Sequence, residues 1–208
     1  MTTKNEIKIQ VVIGKQYNPY LNLAIESNLL DNYLQDTVTL FLWKNQKTVV
    51  IGTNQNPYSE CELESLLNES GHLARRRTGG GAVFHDLGNL NFSFIADKKI
   101  YDVKRQMLVI QKALSYFNIT TEVSGRNDIT YQGRKFSGNA FAKTKFQGLH
   151  HGTILIKTDA ERLQKYLKVK PSKLHKHGVE SVSSRVINLS EVADITSDNL
   201  IPHLIKAF

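Results

Sequence analysis

The amino-acid sequence predicts an α/β fold of the α+β kind, with mixed, largely antiparallel sheets flanked by helices. Short runs of alternating or β-branched apolar residues predict strands, and longer runs with apolar residues at every third or fourth position predict helices. The two kinds of segment follow one another irregularly, and short turn sequences separate several strands. This order favours a mixed sheet over the regular alternation of a parallel, doubly wound fold.

Length and composition predict a single domain. The chain has 208 residues, of which 40% are apolar, so one substantial core over residues 1–208 is expected. No run of about eighteen apolar residues occurs, and the opening MTTKNEIKIQ lacks the apolar segment of a signal peptide. We therefore expect a soluble, cytoplasmic protein without a membrane partner. The single cysteine, Cys61, excludes an intramolecular disulfide and a multi-cysteine zinc site.

The first two elements are predicted from periodicity. Residues 7–13 alternate and are rich in β-branched side chains, which predicts a strand. A helix is expected from Pro19, because proline fits the first turn of a helix. Its apolar face consists of residues spaced four apart: Leu21, Ile25, Leu29 and Tyr33. Glu26 lies one position from this face, so base rates favour an exposed carboxylate there.

Two further strands and a helix follow in the central part of the chain. Residues 38–42 and 48–51 are short apolar runs separated by a polar tetrapeptide, which predicts a β-hairpin. Residues 90–95 alternate as another strand. Asp102 fits the start of a helix with one apolar face, on which Met107 is expected to fill the core.

The C-terminal half is predicted to begin with a second hairpin. Residues 128–133 form a strand that enters a Gln-Gly turn, and Lys135 lies on the returning strand, opposite Asp128. The remaining elements are a strand, a helix, a loop or extended segment and a last helix, at residues 152–156, 159–167, 183–189 and 199–208. Pro202 must lie in the first turn of the last helix.

A stretch rich in arginine and glycine is the first candidate for a functional site. Arg75, Arg76 and Arg77 are followed by three glycines at residues 79–81. Glycine lets backbone N–H groups close around an anion, and arginine binds phosphate or carboxylate oxygens in pairs. The stretch matches neither a Walker loop nor a dinucleotide fingerprint. We interpret it as an anion-binding cradle, with a mobile hairpin bearing solvated arginines as the alternative.

The positive charge of the chain also indicates anionic partners. The formal net charge is +8, and basic residues are concentrated between residues 157 and 176. Such a surface attracts anionic partners over long distances. Tyr166 is the one aromatic residue among these charges, so an acidic protein domain or a nucleotide is favoured over nucleic acid. A solvated helix face is the simplest alternative.

Several motifs, in the same order along the chain, resemble the lipoate-protein ligase A family. They are RRxxGGGAVFHDLGN at residues 75–89, GRND at 125–128, RKxSG at 134–138 and HHGT at 150–153. The segments NPYLNLAIE and FLWKNQKTVVIG are also similar to that family. The resemblance covers nearly the whole chain and implies the catalytic-domain fold of biotin and lipoate ligases.

The resemblance implies an ATP-dependent lipoate-protein ligase. Such an enzyme converts lipoate and ATP into lipoyl-AMP and pyrophosphate, with Mg²⁺, and then transfers the lipoyl group to a lysine ε-amine of an acceptor. The implied acceptors are the lipoyl domains of 2-oxoacid dehydrogenases or the glycine cleavage H protein. Nucleic acid is not expected as a binding partner. Complete members carry a small C-terminal accessory domain that assists adenylation, and we expect this chain to lack it. The resemblance therefore implies adenylate binding and acyl transfer for this chain more directly than adenylate formation.

The matching motifs also imply which residues form the site. The lysine of RKxSG, here Lys135, would contact both the acyl carboxyl and the nucleotide phosphate, and a lysine that reaches both anions relieves their repulsion. ATP binding is implied for Lys135 together with Arg76, Gly81, Ala82, Val83 and Phe84. Lipoate binding is implied for Lys135 together with Glu26, His85, His151 and Gly152. Asp128 is implied to hold Mg²⁺ or to order the lysine.

Other hypotheses for the site and the function stay open. An octanoyl transferase shares the fold and the lysine but passes its acyl group through a cysteine thioester, and no cysteine follows Cys61. A biotin ligase would carry a different loop at residues 75–81. The third hypothesis is a non-catalytic basic module that binds nucleic acid or a carrier domain. His150 and His151 are adjacent on a strand and point to opposite faces, so a shared metal is disfavoured.

Overall fold

Two β-sheets form the framework of the computed structural model, which describes residues 6–125, 127–168 and 186–208. The strands in these ranges are β1 (Lys8–Ile13), β2 (Thr37–Trp43), β3 (Thr48–Ile51), β4 (His72–Arg75), β5 (Val83–His85), β6 (Asn89–Asp97), β7 (Glu122–Ser124), β8 (Asp128–Tyr131), β9 (Arg134–Lys143) and β10 (Gln147–Leu155). The helices are α1 (Pro19–Asp31), α2 (Pro57–Glu60), α3 (Leu63–Asn68), α4 (Val103–Ser115), α5 (Ala160–Tyr166) and α6 (Ser197–Ala207), with a 3₁₀ turn at Leu189–Glu191.

The larger sheet has seven strands in the order β1-β2-β6-β10-β9-β8-β7. Every neighbouring pair in it is antiparallel except β1 and β2, which are parallel. The smaller sheet has the order β4-β3-β5, with β4 parallel and β5 antiparallel to β3. These pairings confirm the predicted architecture of mixed, largely antiparallel sheets flanked by helices.

The predicted hairpin between residues 38–42 and 48–51 is wrong, because β2 and β3 belong to different sheets. The tetrapeptide between them carries the chain from one sheet to the other, and its Asn45 is fully buried. The Asn45 side chain accepts a hydrogen bond from Asn22 of α1 at 2.9 Å. Two apolar runs joined by a short polar link fit either a hairpin or such a crossover, and the local pattern does not distinguish them.

The apolar face predicted for α1 is also wrong. Leu21 is 51% exposed, whereas Asn22 and Glu26 are 0% and 1% exposed. Asn22 donates to the main-chain carbonyl of Lys44 and to Asn45, and Glu26 accepts a hydrogen bond from Ser93 of β6. The helix therefore buries Asn22 and Glu26 together with Leu30, because the link between β2 and β3 and strands β6 and β10 of the larger sheet supply the polar partners.

The main hydrophobic core lies between the larger sheet and helices α4 and α6. Met107 is buried in this core, which confirms its predicted role, and the predicted cap Asp102 accepts from the N–H groups of Lys104 and Arg105. The last helix begins at Ser197, so Pro202 lies beyond its first turn, contrary to the expectation. No helix in the described part of the chain is long and apolar enough to cross a membrane.

Several other predicted segments differ in extent from the structure. The strand expected at residues 152–156 is longer and begins at Gln147. Of the extended segment expected at 183–189, residues 183–185 lie outside the described ranges, and Val186 forms a β-bridge with Lys135. The basic stretch from 157 to 176 is described as far as Lys168.

Replacing Gly88 by alanine should destabilise the fold. A Cβ atom at this position would lie 2.0 Å from the carbonyl oxygen of Lys157, and a main-chain atom does not swing aside as a side chain does. We expect urea denaturation to show a loss of about 3 kcal/mol in the free energy of unfolding. Gly79→Ala is the matched control, because a Cβ there meets no atom within 4 Å. Equal losses in the two variants would contradict this account.

Candidate active site

A cavity of about 260 Å³ is lined by residues of both sheets, of α1 and of the loop between β4 and β5. Most of the residues predicted to form the site lie in its wall: Arg76, Gly81, Ala82, Val83, His85, Asp128, Lys135, His151 and Gly152. The other two predicted residues, Glu26 and Phe84, do not line the cavity. The fold therefore brings segments that are far apart in sequence to one place.

Lys135 and Asp128 form an ion pair at one end of the cavity wall, with 2.7 Å between Nζ and Oδ1. In the register of β8 and β9, Asp128 lies opposite Gly138, and an irregularity between Ile129 and Thr130 shifts the pairing, so that Thr130 faces Lys135. The predicted direct opposition of the two residues is thus wrong, although their side chains meet. Gly138 leaves room for the lysine, because a Cβ there would lie 3.0 Å from Nζ.

Arg76 supports the glycine loop from beneath. Its guanidinium group donates to the carbonyls of Val50, Gly79 and Gly81, at 3.1, 2.7 and 2.8 Å, and to Oγ1 of Thr78 at 3.0 Å. Burial lowers the pKa of the Arg76 guanidinium to about 10, so the group still carries its charge at neutral pH. The loop is therefore fixed by a buried cation.

The other two arginines of the stretch do not line the cavity. Arg75 donates to the main-chain carbonyls of Gly52, Thr53 and Gln55. Arg77 binds both carboxylate oxygens of Asp31 at the end of α1, at 2.6 Å. Of the three arginines interpreted as an anion cradle, Arg76 is therefore the one placed at the candidate site.

A buried chain of hydrogen bonds connects α1 to the glycine loop. Oε1 of Glu26 lies 2.8 Å from Nδ1 of His151, and Nε2 of His151 lies 2.8 Å from Oγ1 of Thr78, which Arg76 also contacts. The Arg76 Nε–H donates to Oγ1 of Thr78, so His151 connects the carboxylate of Glu26 to the hydroxyl group that Arg76 holds. Glu26 is thus buried beside the site rather than exposed.

Glu26 remains a carboxylate despite its burial. Burial alone raises the pKa of Glu26, but attraction to His151 and hydrogen bonds from His151 and Ser93 outweigh it, so that the pKa is lower than the ordinary value of 4.5. A buried anion of this kind needs its partners, because an unpaired buried charge costs several kcal/mol.

His85 contributes a neutral, buried ring to the cavity wall, next to the indole of Trp43. Burial lowers the pKa of His85 to about 3, and the charge of Arg76 adds to the effect. Asn22 donates to a main-chain carbonyl and to Oδ1 of Asn45, so Asn45 presents Nδ2 to Nδ1 of His85 at 3.3 Å. The single proton of the neutral His85 ring is therefore on Nε2, which has no hydrogen-bond partner among the described residues.

His150 and His151 point to opposite faces of β10, as their adjacency predicts. His151 lines the cavity, whereas His150 is fully buried behind it. No group of three or more metal-binding side chains occurs in the described ranges. Asp86, beside His85, accepts from the main-chain N–H groups of Gly88 and Asp159 and thereby shapes a turn.

Phe84 lies at the glycine loop in sequence but not at the cavity. Its ring is 2% exposed and packs against Tyr166, with 5.4 Å between the ring centroids, in a second core beneath the smaller sheet. A contribution of Phe84 to ATP binding would therefore have to come from its main chain, and it stays a prediction.

Several polar residues of the site were not predicted from the sequence: Asn22, Asn45, Thr78, Ser93, Asn127 and Asn139. One signal was available, because Asn89, Asn91 and Ser93 occupy every second position of β6 and are all buried. Polar residues with a period of two place a polar face on that strand. The same alternation that predicts the strand thus also indicates the polar wall that β6 builds.

The two sheets around one cavity have the catalytic fold of biotin and lipoate ligases, as solved lipoate ligases show. LipL1 of P. falciparum in complex with lipoate is 39% identical and superimposes with a TM-score of 0.83, covering 97% of this chain and 61% of that one. A bipartite ligase described with its E2 lipoyl domain, from Thermoplasma acidophilum, is 28% identical and superimposes with a TM-score of 0.85, covering 98% of this chain and 82% of that one. A lipoate-protein ligase A bound with ATP is 26% identical and superimposes with a TM-score of 0.84, covering 97% of this chain and 84% of that one.

The chain belongs to the lipoyl protein ligase A/B catalytic-domain family, whose model matches residues 18–208. A lipoate-protein ligase A of Bdellovibrio bacteriovorus is 47% identical to it over 206 residues, which are 97% of this chain and 61% of that protein. A second one, of Psychrobacter cryohalolentis, is 42% identical over 97% of this chain and 60% of its own length. The chain thus spans about three fifths of the length of these curated relatives.

Acidification should destabilise the protein through its buried histidines. His85 and His150 have a pKa of about 3 in the folded state, because burial disfavours their charged forms. In the unfolded chain the same histidines have their ordinary pKa of 6.5, so below pH 6.5 they are protonated in the unfolded chain while they stay neutral in the folded protein. Stability therefore falls as the pH is lowered from 7 to 4.5, by about 2–3 kcal/mol for each histidine. The lowered pKa of Glu26 acts below 4.5 and leaves this window unaffected.

Urea denaturation at several pH values tests this expectation. The variant His150→Phe should lose the part of the pH dependence that His150 contributes, about half of the total. A free energy of unfolding that is constant between pH 4.5 and 7 in the parent protein would contradict the burial of two neutral histidines.

Proposed function

We propose that this chain catalyses the ATP-dependent attachment of lipoate to a lysine of an acceptor protein. The observation that carries the proposal is that Lys135 lines the same cavity as the glycine loop that Arg76 supports. Membership of the family and the likeness to ligases solved with lipoate and with ATP support it. The need for ATP fits a cytoplasmic location.

In the first proposed step, a carboxylate oxygen of lipoate attacks the α-phosphorus of ATP. The bond between that phosphorus and the pyrophosphate oxygen breaks, which gives lipoyl-AMP and pyrophosphate. The ammonium group of Lys135 offsets the repulsion between the two reacting anions, and Asp128 holds this group in place at 2.7 Å. Arg76 and the main chain of Gly81, Ala82, Val83 and Phe84 form the nucleotide side of the site.

In the second proposed step, the ε-amine of an acceptor lysine attacks the acyl carbon of lipoyl-AMP. The mixed-anhydride C–O bond breaks, AMP leaves, and the amine loses a proton as the amide forms. The proposed acceptors are lipoyl domains of 2-oxoacid dehydrogenases and the glycine cleavage H protein. The solved ligase of Thermoplasma acidophilum is described together with its E2 lipoyl domain, which supports the first of these.

The acyl chain is proposed to run across the strands of the larger sheet. In the strand register, Asn139 of β9 is paired with Gly152 of β10. The next residue of β10, Thr153, is paired with Asn91 of β6, and Asn91 is paired with Trp43 of β2. Strands lie about 4.8 Å apart, so the path from β9 to Trp43 is about 14 Å long. Such a slot suits an extended acyl group, with His85 and His151 in its wall.

The missing Cβ of Gly152 leaves space on the side of β10 that faces the aromatic core, where His150 also points. A Cβ atom at this position would lie 2.5 Å from the Phe92 ring and 2.6 Å from Oδ1 of Asn139. Glu26 contributes indirectly, because it orients His151 rather than lining the cavity. The contact with Glu26 supports the assignment of His151, and through it of Glu26, to lipoate binding, whereas Gly152 is proposed to contribute its main chain, which lines the cavity.

Mg²⁺ is proposed to enter the reaction with ATP. Within the described ranges, Asp128 supplies the one carboxylate in the cavity wall, and its Oδ1 already pairs with Lys135. Mg²⁺ is commonly held by substrate phosphates and one or two carboxylates, so this donor set fits a metal carried by the nucleotide. Asp128 is then the protein ligand, and the metal supplies neutralisation of phosphate charge.

Two rival functions have less support. A transferase that uses a cysteine thioester would need a reactive thiol, but Cys61 is buried outside the cavity, donates to the carbonyl of Pro57, and has a pKa raised by burial. A basic binding module would need free cations, but Lys165 and Lys168 pair with Glu69 and Glu62.

Lys135→Ala should abolish adenylate formation. Removal of the ammonium group leaves the two reacting anions without their shared counter-charge, and we expect kcat to fall by about 100- to 1000-fold. Pyrophosphate release with lipoate and ATP measures this. Lys143→Ala is the matched control, because Lys143 is an exposed lysine on the same strand, and it should retain parental activity. An active Lys135→Ala variant would refute the proposed role.

Cys61→Ala should leave the transfer of the acyl group unchanged. The thiol lies in the second core and contacts no part of the cavity. We expect kcat/KM for lipoylation of an isolated lipoyl domain to stay within about twofold of the parent value, as for substitutions away from the reacting atoms. Loss of transfer in a folded Cys61→Ala protein would favour the thioester mechanism instead.

A further inference from the structure

His150 is a fully buried polar residue that the proposed mechanism does not use. Its ring is surrounded by Phe92, Phe94 and Phe141, with centroid distances of 5.4, 5.7 and 4.8 Å. A polar ring in such an apolar environment costs free energy unless its nitrogen atoms are hydrogen-bonded. Both nitrogen atoms have partners, which indicates a specific task.

The first partner, Asn139, holds the main chain just before Asp128. Both the backbone N–H and the side-chain Nδ2 of Asn139 donate to the carbonyl of Asn127, at 2.7 and 3.0 Å. Because a carbonyl oxygen only accepts, the orientation of the Asn139 carboxamide is fixed, and its Oδ1 faces Nε2 of His150 at 2.9 Å. His150 must therefore donate from Nε2.

The second partner, Gln106 of α4, completes the assignment of the His150 ring. Burial lowers the pKa of His150 to about 3, so at neutral pH the ring carries one proton, which is on Nε2. Nδ1 then accepts, so the Gln106 carboxamide, whose Oε1 is placed 3.0 Å from Nδ1, has to be turned by half a turn to present its NH₂ group there. The direction of every hydrogen bond from α4 to Asn127 is thus determined.

The chain of contacts ends at the ion pair of the candidate site. Asn127 is exposed, so its main chain has little packing of its own to fix it. The next residue, Asp128, begins β8 and holds Nζ of Lys135 at 2.7 Å. A displacement of the Asn127 carbonyl would therefore move the carboxylate that orients the lysine.

We propose that His150 is a positioning residue for Lys135, which acts through Asn139, the Asn127 carbonyl and Asp128. His150 does not line the cavity, whereas its neighbours His151 and Asn139 do. The two histidines of HHGT thus support the two halves of the site separately: His151 supports the glycine loop and His150 supports the lysine. The consequence for catalysis rests on the proposed function.

A double-mutant cycle tests this role. His150→Phe keeps the aromatic packing but removes the Nε2–H donor, and it should lower kcat for adenylate formation by about 10- to 100-fold with little change in KM for ATP or lipoate. His150→Gln, which retains an N–H donor at a similar distance from the main chain, should recover most of the activity. In an Asp128→Asn background, His150→Phe should add less than about twofold, because both act on the same lysine.

The outcomes that would overturn the proposal are distinct from a failure of the proposed function. If His150→Phe lowers kcat by the same factor in the parent protein and in the Asp128→Asn variant, His150 acts independently of the ion pair. If the parent forms no acyl-adenylate, the proposed function fails, and two measurements without turnover decide the positioning role. Nitrogen-15 NMR should find the Nε2–H form of His150, and a crystal structure of His150→Phe should show Lys135 and Asp128 separated. The other tautomer or an intact ion pair would refute it.

Discussion

The buried carboxylate of Glu26 is the constraint on which the candidate site depends. A charge that is 1% exposed has to be matched by partners inside the protein, and Ser93 of β6 and His151 of β10 supply them, with His151 bonded in turn to Thr78 of the glycine loop. These contacts direct Glu26 of α1 inward, while Leu30 of the same helix packs against Ile95 and Leu149. The cavity wall and the loop above it are positioned by the same contacts.

Strand register then brings the separate motifs together. RKxSG and HHGT lie on β9 and β10, and GRND ends at Asp128, the first residue of β8, which is the next strand of the larger sheet. Asp128, Gly138, Asn139 and Gly152 occupy facing or adjacent positions. Glycine at 138 leaves the space that Lys135 requires, and glycine at 152 leaves the space that the Phe92 ring and the Asn139 side chain occupy. Motifs spread along the chain thus form one continuous surface.

The alternation of side chains along β10 divides the work between two adjacent histidines. His151 faces the cavity and joins Glu26 to the glycine loop, while His150 faces the aromatic core and joins α4 to the segment before Asp128. Because both rings are held at both nitrogen atoms, neither is free to rotate. Rigid support of this kind favours a catalytic geometry that needs no rearrangement during the reaction.

The sequence alone predicted the mixed architecture and most strands and helices, because periodicity is a local property. The resemblance of its motifs to a known family indicated nine of the residues that line the cavity. Tertiary structure decided which side of α1 is buried, that β2 and β3 join different sheets, and that Arg75 and Arg77 bind elsewhere. Periodicity assumes that apolar faces turn inward, whereas Asn22 and Glu26 are buried because distant residues satisfy their hydrogen bonds. Such partners are set by the packing of the whole chain, which no local pattern contains.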